Sequence, residues 1–268
     1  MFRTIGLSSS LALLATVCTA QDSQHIDNLD AALLSGWQTP AGNHMAGLQL
    51  TLAPGWKTYW RSPGDAGIPP FFDWSGSENL KSVRLHWPSP SVFQTNGIQS
   101  IGYHDRVTLP FEVTPLDPAK PVRLHAMVDL GVCKDICTPA SLNLTTFLVA
   151  PGAPDAGIQS ALASQPRNAT SAGLSAVSCR VDPIADGLKI TAVMMLPASG
   201  GAETVVFEAG QPNIWTAQAT TSRDGEMLTS VTEMVAPSGV PFALDRSQIR
   251  LTVLANDTAV EILGCPAP

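Results

Sequence analysis

Two cysteines with three residues between them, Cys133 and Cys137, are the residues of this chain best placed to do chemistry. They lie in Gly131-Val-Cys-Lys-Asp-Ile-Cys-Thr-Pro139, which connects two stretches that read as strands, residues 122–130 and 142–148. In the first of these, Val122, Leu124, Ala126, Val128 and Leu130 alternate with Arg123, His125, Met127 and Asp129. That is the period-two pattern of a strand with one buried face. A tight reversal can bring such cysteines within the roughly 4.4–6.8 Å Cα separation that a disulfide needs. As a staple the ring is weak: the chain-entropy model gives ~2 kcal/mol for a loop of about five residues, against ~4.6 kcal/mol for one as long as the Cys179–Cys265 span. A small ring at a hairpin tip is, however, open to attack by an outside thiolate, and such disulfides tend to be the exchange-competent ones. Lys134 favours a thiolate at Cys133 and Asp135 disfavours it, so local charge does not choose the attacking sulfur. Two other readings stand beside exchange: a structural crosslink, and a copper or zinc site in which His125 or His104 assists the two thiolates.

The elements that must position this pair are strands. Residues 46–52 alternate as a strand, Pro54-Gly55 turns the chain into a second at residues 56–60, and residues 71–74, 83–87 and 106–113 read as further strands. Residues 61–70 and 88–102 read as irregular stretches, and residues 21–34 as a polar lead before Trp37 starts the folded part. After the cysteine hairpin, Pro151 and Pro154 break the pattern, and a short helix is expected near residues 158–163. A second strand-rich unit follows, with hairpin turn signals at Asp186-Gly187 and Asp224-Gly225 and a weaker one at Asn256-Asp257. Short antiparallel strands at this turn spacing predict an all-β chain of two immunoglobulin-like β-sandwiches in tandem. The boundaries read as residues 1–20 for a signal peptide, 21–152 for the first sandwich, 153–172 for a linker and 173–268 for the second.

The N-terminus joins Arg3 to an apolar run and ends in Cys18-Thr19-Ala20, the pattern of a secretory leader cut after Ala20. The alternative is a lipoprotein acylated on Cys18, for which Thr16-Val17 fits poorly. Cleavage would leave four cysteines, which pair near with near and far with far: Cys133 with Cys137, and Cys179 with Cys265 as a structural clamp. No later stretch approaches the ~18 apolar residues needed to span a bilayer. The net charge of −7, without a Lys/Arg cluster, argues against nucleic acid and anionic membrane surfaces as partners. The chain also lacks a Gly-rich phosphate loop, a nucleophile elbow and HExxH, which removes the common nucleotide-binding and hydrolase readings. Asp65 and Asp105 read as turn residues rather than as tuners of a cysteine.

Three segments in order, Gly55-Trp-Lys-Thr-Tyr-Trp-Arg-Ser-Pro-Gly-Asp-Ala-Gly67, Gly102-Tyr-His-Asp-Arg-Val-Thr-Leu-Pro110 and the cysteine segment, resemble the N-terminal periplasmic domain of the DsbD family of thiol:disulfide interchange proteins. The likeness is strongest to its ScsB, or suppressor-of-copper-sensitivity, branch and covers roughly residues 37–150. The resemblance implies a periplasmic sandwich with Cys133 and Cys137 as its redox pair. It implies a cap loop over residues 93–101 that shields the pair, with Phe93, Tyr59 and Tyr103 near the site. It implies no cofactor. The expected partners are a separate membrane-embedded electron donor of DsbD/ScsB type and periplasmic thioredoxin-like proteins. The competing reading from another class is a non-catalytic immunoglobulin-like binding module with two structural disulfides.

Overall fold

A computed structural model describes residues 22–65, 67–95, 97–256 and 258–268; the leader read at residues 1–20, Cys18 included, lies outside them. The first half carries strands β1 (Ser23–Ile26), β2 (Leu29–Gln38), β3 (His44–Leu52), β4 (Lys57–Tyr59), β5 (Phe71–Asp73), β6 (Leu80–Leu85), β7 (Ser91–Thr95), β8 (Ile98–His104), β9 (Arg106–Pro115), β10 (Val122–Cys133) and β11 (Cys137–Leu148). Helix α1 (Ala156–Ala163) and the short β12 (Arg167–Asn168) lead into β13 (Ala176–Pro183), β14 (Gly187–Met195), β15 (Thr204–Glu208), β16 (Trp215–Thr216), β17 (Thr220–Asp224), β18 (Met227–Val235), β19 (Arg250–Ala255) and β20 (Thr258–Leu263).

Among the described residues these strands make four sheets. One has the order β1-β2-β3-β9-β6, and a second has β11-β10-β4-β8-β7 with β5 alongside β10. The alternation read from the sequence is what holds them together. Val122, Leu124, Ala126, Val128 and Leu130 of β10 all point into a core shared with Leu29, Leu33, Leu48, Leu50 and Phe111 of the facing sheet. The second pair of sheets, β12-β20-β19-β15 and β13-β14-β18-β16, encloses its own core around Ile190, Met194, Phe207, Leu251 and the Cys179–Cys265 disulfide. The described residues are therefore all-β apart from α1, in two sandwiches, as the turn spacing predicts. Val206, Leu254 and Ala259 of the second sandwich are buried against the core of the first, so an apolar seam joins the two.

The turn signals at 186–187 and 224–225 each sit at a strand reversal, where β13 meets β14 and β17 meets β18, and Asn256 of the weaker signal follows β19 with a positive φ of 43°, while Asp257 lies outside the described residues. The expected helix forms, opened by the Asp155 side chain accepting from the Ile158 N–H at 3.0 Å. Its Ile158 is fully buried against Leu34 and Met45, so this part of the connecting segment packs on the first sandwich.

Two readings need correction. The polar lead read at 21–34 holds a β-hairpin of β1 and β2 from Ser23 onward: Asn28 takes a positive φ of 69° in the reversal, and Leu29, Ala31 and Leu33 alternate into the core. The run of polar residues before it, Asp22, Gln24, His25, Asp27 and Asn28, hides this period from a reading by composition. Residues 88–102 are likewise not irregular, because β7 and β8 pair from Ser91↔Gly102 to Thr95↔Ile98. Asn96-Gly97 between them is the dipeptide a two-residue hairpin turn demands, and Gly97 has a φ of 80°.

Candidate functional site

β10 and β11 pair without a break from Val122↔Leu148 to Cys133↔Cys137, leaving only Lys134, Asp135 and Ile136 outside the ladder. The connection expected over residues 131–139 is thus mostly strand. Pro139 sits inside β11 opposite Gly131, which a sheet tolerates because β11 is an edge strand and needs no N–H on its open side. At the tip the two cysteines face each other with Cα atoms 4.1 Å apart and are joined in a disulfide.

The two ends of this ring differ. Cys133 is 1 % exposed, because β4 pairs beside it through Val132↔Thr58 and Cys133↔Lys57. Thr58, itself buried, donates its hydroxyl to the Gly131 carbonyl at 2.9 Å and closes the same side. Cys137 is exposed on the edge strand, next to Ile136, which is 78 % exposed. An incoming thiolate therefore meets the Cys137 end of the bond.

Tyr59 lies under both sulfurs. Its hydroxyl donates to Cys133 Sγ at 3.0 Å and stands 3.1 Å from Cys137 Sγ, while the residue as a whole is 3 % exposed. Its ring lies so close to the hairpin that a Cβ at Gly131 would stand 3.0 Å from it, and a larger residue there would have to push the ring aside. Burial pushes the phenol pKa up from 10.0, which keeps the proton on the oxygen and the oxygen a donor. A hydrogen bond aimed at a sulfur is worth more once that sulfur carries charge, so the arrangement favours the thiolate released when the bond opens.

The other residues singled out in the sequence lie further off. Phe93 is half-buried on β7, edge-on to His104 with ring centroids 6.0 Å apart and with the Lys57 ammonium 5.2 Å from its own centroid. With Lys134 and Asp135 of the hairpin tip it lines a cleft of about 620 Å³ beside the ring. Tyr103 is a core residue of β8, opposite Thr58, and its hydroxyl donates to the Pro88 carbonyl at 2.9 Å. His104 bonds Asp105 at 2.6 Å and His125 bonds Asn143 at 2.9 Å. Among the described residues no group of three or more His, Cys, Asp or Glu side chains stands together as a metal site would require. Asp105 holds a positive φ of 57° in the β8–β9 reversal, the turn role read for it. What the sequence did not disclose is the support around the ring: Thr58, Gly131 and the buried setting of Tyr59. The Trp56 to Trp60 strand was visible, but which strand it would lie beside was not.

The enclosure of Tyr59 can be checked optically, because the chain holds only two tyrosines and burial raises both pKa values, that of Tyr103 well above the usual value. A raised folded-state pKa gives stability that is complete below the ordinary value of 10.0 and lost as pH rises through the raised one. In an alkaline titration the expected result is no tyrosinate absorbance near that ordinary value. Tyrosinate should then appear at higher pH together with loss of near-ultraviolet circular dichroism. A tyrosine that titrates normally in the folded protein would mean that Tyr59 is not enclosed.

Residues 30–148 match the family model described as "Thiol:disulfide interchange protein DsbD, N-terminal". The structure of the N-terminal periplasmic domain of ScsB from Proteus mirabilis superposes on this chain with a TM-score of 0.71 and 23 % sequence identity, covering 93 % of this chain and 99 % of that one. That likeness extends over both sandwiches and shows a shared fold. No match was found among curated proteins. Among the described residues no helix is long and apolar enough to cross a membrane.

Proposed function

We propose, from the match of residues 30–148 to the DsbD N-terminal family model and from the geometry of the ring, that this protein is a periplasmic thiol–disulfide exchange module working through Cys133 and Cys137. One observation carries the reading. The bond closes the tip of an edge hairpin, with one cysteine exposed and the other buried, and a single buried hydroxyl touches both sulfurs. A crosslink meant only to brace the hairpin would gain nothing from that asymmetry, since the β10–β11 ladder already runs to its last pair.

The chemistry balances as follows. A thiolate of a donor dithiol attacks Cys137 Sγ, the Cys133–Cys137 bond breaks, and Cys133 leaves as a thiolate that takes up a proton beside the Tyr59 hydroxyl. The donor's second thiolate then attacks the mixed disulfide and releases Cys137. Two electrons and two protons have moved to this protein, and the donor is left as a disulfide. The reduced pair passes them on by the reverse steps, with Cys137 attacking an acceptor disulfide and Cys133 resolving it. We read the partners as a membrane-embedded redox protein of DsbD/ScsB type and periplasmic thioredoxin-like proteins. The division into a leader at 1–20, a redox sandwich at 21–152, a connecting segment at 153–172 and a second sandwich at 173–268 belongs to the same reading. Phe93 would act as a shield from the side, where β7 and the hairpin tip line one cleft.

Equilibration in graded thiol–disulfide buffers, followed by alkylation and mass analysis, separates exchange from bracing. The expected result is that Cys133–Cys137 opens in the range of redox-active pairs, roughly −120 to −270 mV. Cys179–Cys265, whose cysteines are both buried, should stay closed under those conditions. Equal resistance of the two bonds would leave a binding module and remove the exchange reading.

A further inference from the structure

The loop that leaves β4 carries Arg61, two residues beyond Tyr59, and its guanidinium donates to carboxylates of the other sandwich. Its Nε and Nη2 each donate to a different carboxylate oxygen of Glu208 at 2.9 Å, and Nη2 also donates to Glu261 at 2.7 Å. Glu208 belongs to β15 and Glu261 to β20, both in the second sandwich. Arg250 Nη1 donates to the same Glu261 oxygen, Oε2, at 3.1 Å, and the Arg61 guanidinium lies 4.3 Å from the Trp60 ring centroid. Trp60 is fully buried. A bidentate, stacked, largely buried guanidinium fixes its own backbone more firmly than a surface ion pair does.

The backbone so fixed is the wall around Tyr59. Beyond Arg61 the chain bonds to β8, with the Ile101 N–H donating to the Pro63 carbonyl at 2.9 Å. It then folds back so closely that a Cβ at Gly67 would lie 2.2 Å from Pro63 and 3.0 Å from the Tyr59 ring. Ile68 follows, and a Cβ at Gly131 would meet it at 3.2 Å. The Tyr59 ring is thus held between Gly131 of the hairpin on one side and Gly67, folded back on Pro63, on the other, and Arg61 ties the start of that loop to the second sandwich.

We propose that Arg61 is a positioning residue: by anchoring the loop to Glu208 and Glu261 it holds the Tyr59 hydroxyl on the sulfurs, so the second sandwich sets how readily Cys133–Cys137 opens. The inference rests on the exchange reading for its purpose. Its test does not, because excess dithiothreitol opens an accessible ring whatever the ring is for.

The measurement is the rate of opening of Cys133–Cys137 by dithiothreitol in the full chain at fixed pH, read by alkylation. The variants are Tyr59→Phe, Arg61→Gln, Arg61→Lys and the double variant Arg61→Gln/Tyr59→Phe. Loss of a hydrogen bond to a charged group should slow opening about tenfold in Tyr59→Phe, with about threefold in Arg61→Gln and less in Arg61→Lys. In the Tyr59→Phe background Arg61→Gln should add nothing, because the group it positions is gone. A combined Arg61→Gln/Glu208→Gln variant strands fewer charges and should match Arg61→Gln; intact Cys179–Cys265 reports that the second sandwich remains folded. Wild-type opening rates for Arg61→Gln, or an Arg61 effect of the same size with and without the Tyr59 hydroxyl, would overturn the proposal. Failure of the exchange reading would show instead in the wild-type potential, and not in these ratios.

Discussion

Cys133→Ser will trap partner proteins as mixed disulfides, and Cys137→Ser will not. The sulfur left in Cys133→Ser is the one on the exposed edge strand, where a partner's disulfide can approach along the line the reaction needs. The sulfur left in Cys137→Ser sits in a residue that is 1 % exposed, behind the β4 backbone and the Thr58 bond to Gly131. Access and not acidity decides here, since Tyr59 reaches both positions and favours a thiolate at either. The expected difference is at least about tenfold in iodoacetamide alkylation rate and larger in yield of trapped partner, because the protein partner needs more room than the small reagent. Comparable trapping by both variants would mean that the hairpin tip opens before exchange. Capture by Cys137→Ser alone would reverse the assignment of attacking and resolving sulfur.

That assignment was out of reach of the sequence, and the reason is physical. The β10 alternation announces a strand with one wet face, and Cys133 and Cys137 announce a ring at its end, because both signals are local. Which cysteine is covered depends on β4 arriving beside β10, a pairing between residues more than seventy positions apart in the chain. Tyr59 and Tyr103 show the same limit. Both were placed near the site by resemblance and both are buried, yet one touches the sulfurs and the other ties β8 to Pro88. No local pattern separates them. Asn96-Gly97 was legible as a turn signal and would have placed a hairpin within 88–102, where β7 pairs β8 and Gly97 takes a positive φ of 80°. Arg61 lies at the opposite extreme, with partners 147 and 200 positions away. An arginine in a Pro/Gly-rich loop gives no hint of a carboxylate in another domain.

The second large effect is on stability and concerns the other disulfide. Removing it in Cys179→Ala/Cys265→Ala should cost about 4–5 kcal/mol, the loop-closure value for a ring that spans nearly the whole second sandwich. Against a typical domain stability of ~5–15 kcal/mol this is enough to leave a marginal fold. Part of the closure will survive the loss, because the Cys179 N–H still donates to the Pro266 carbonyl at 2.7 Å and the Cys265 N–H to the Arg246 carbonyl at 2.9 Å. Both cysteines are also buried in the core of the second sandwich, so removing their sulfurs leaves a cavity there that adds to the cost. Urea unfolding should show the drop as a lower midpoint. The corresponding loss for Cys133→Ala/Cys137→Ala should be ~2 kcal/mol or less, since that ring closes only five residues at the end of a ladder that already pairs Cys133 with Cys137. Similar losses for the two pairs would contradict the division into a clamp and an exchangeable ring. The clamp has one more consequence if Arg61 acts as proposed. Loosening the second sandwich frees Glu208 and Glu261 from their places, so opening of Cys133–Cys137 should slow in Cys179→Ala/Cys265→Ala as urea approaches the unfolding midpoint of the second sandwich, while the first sandwich is still folded.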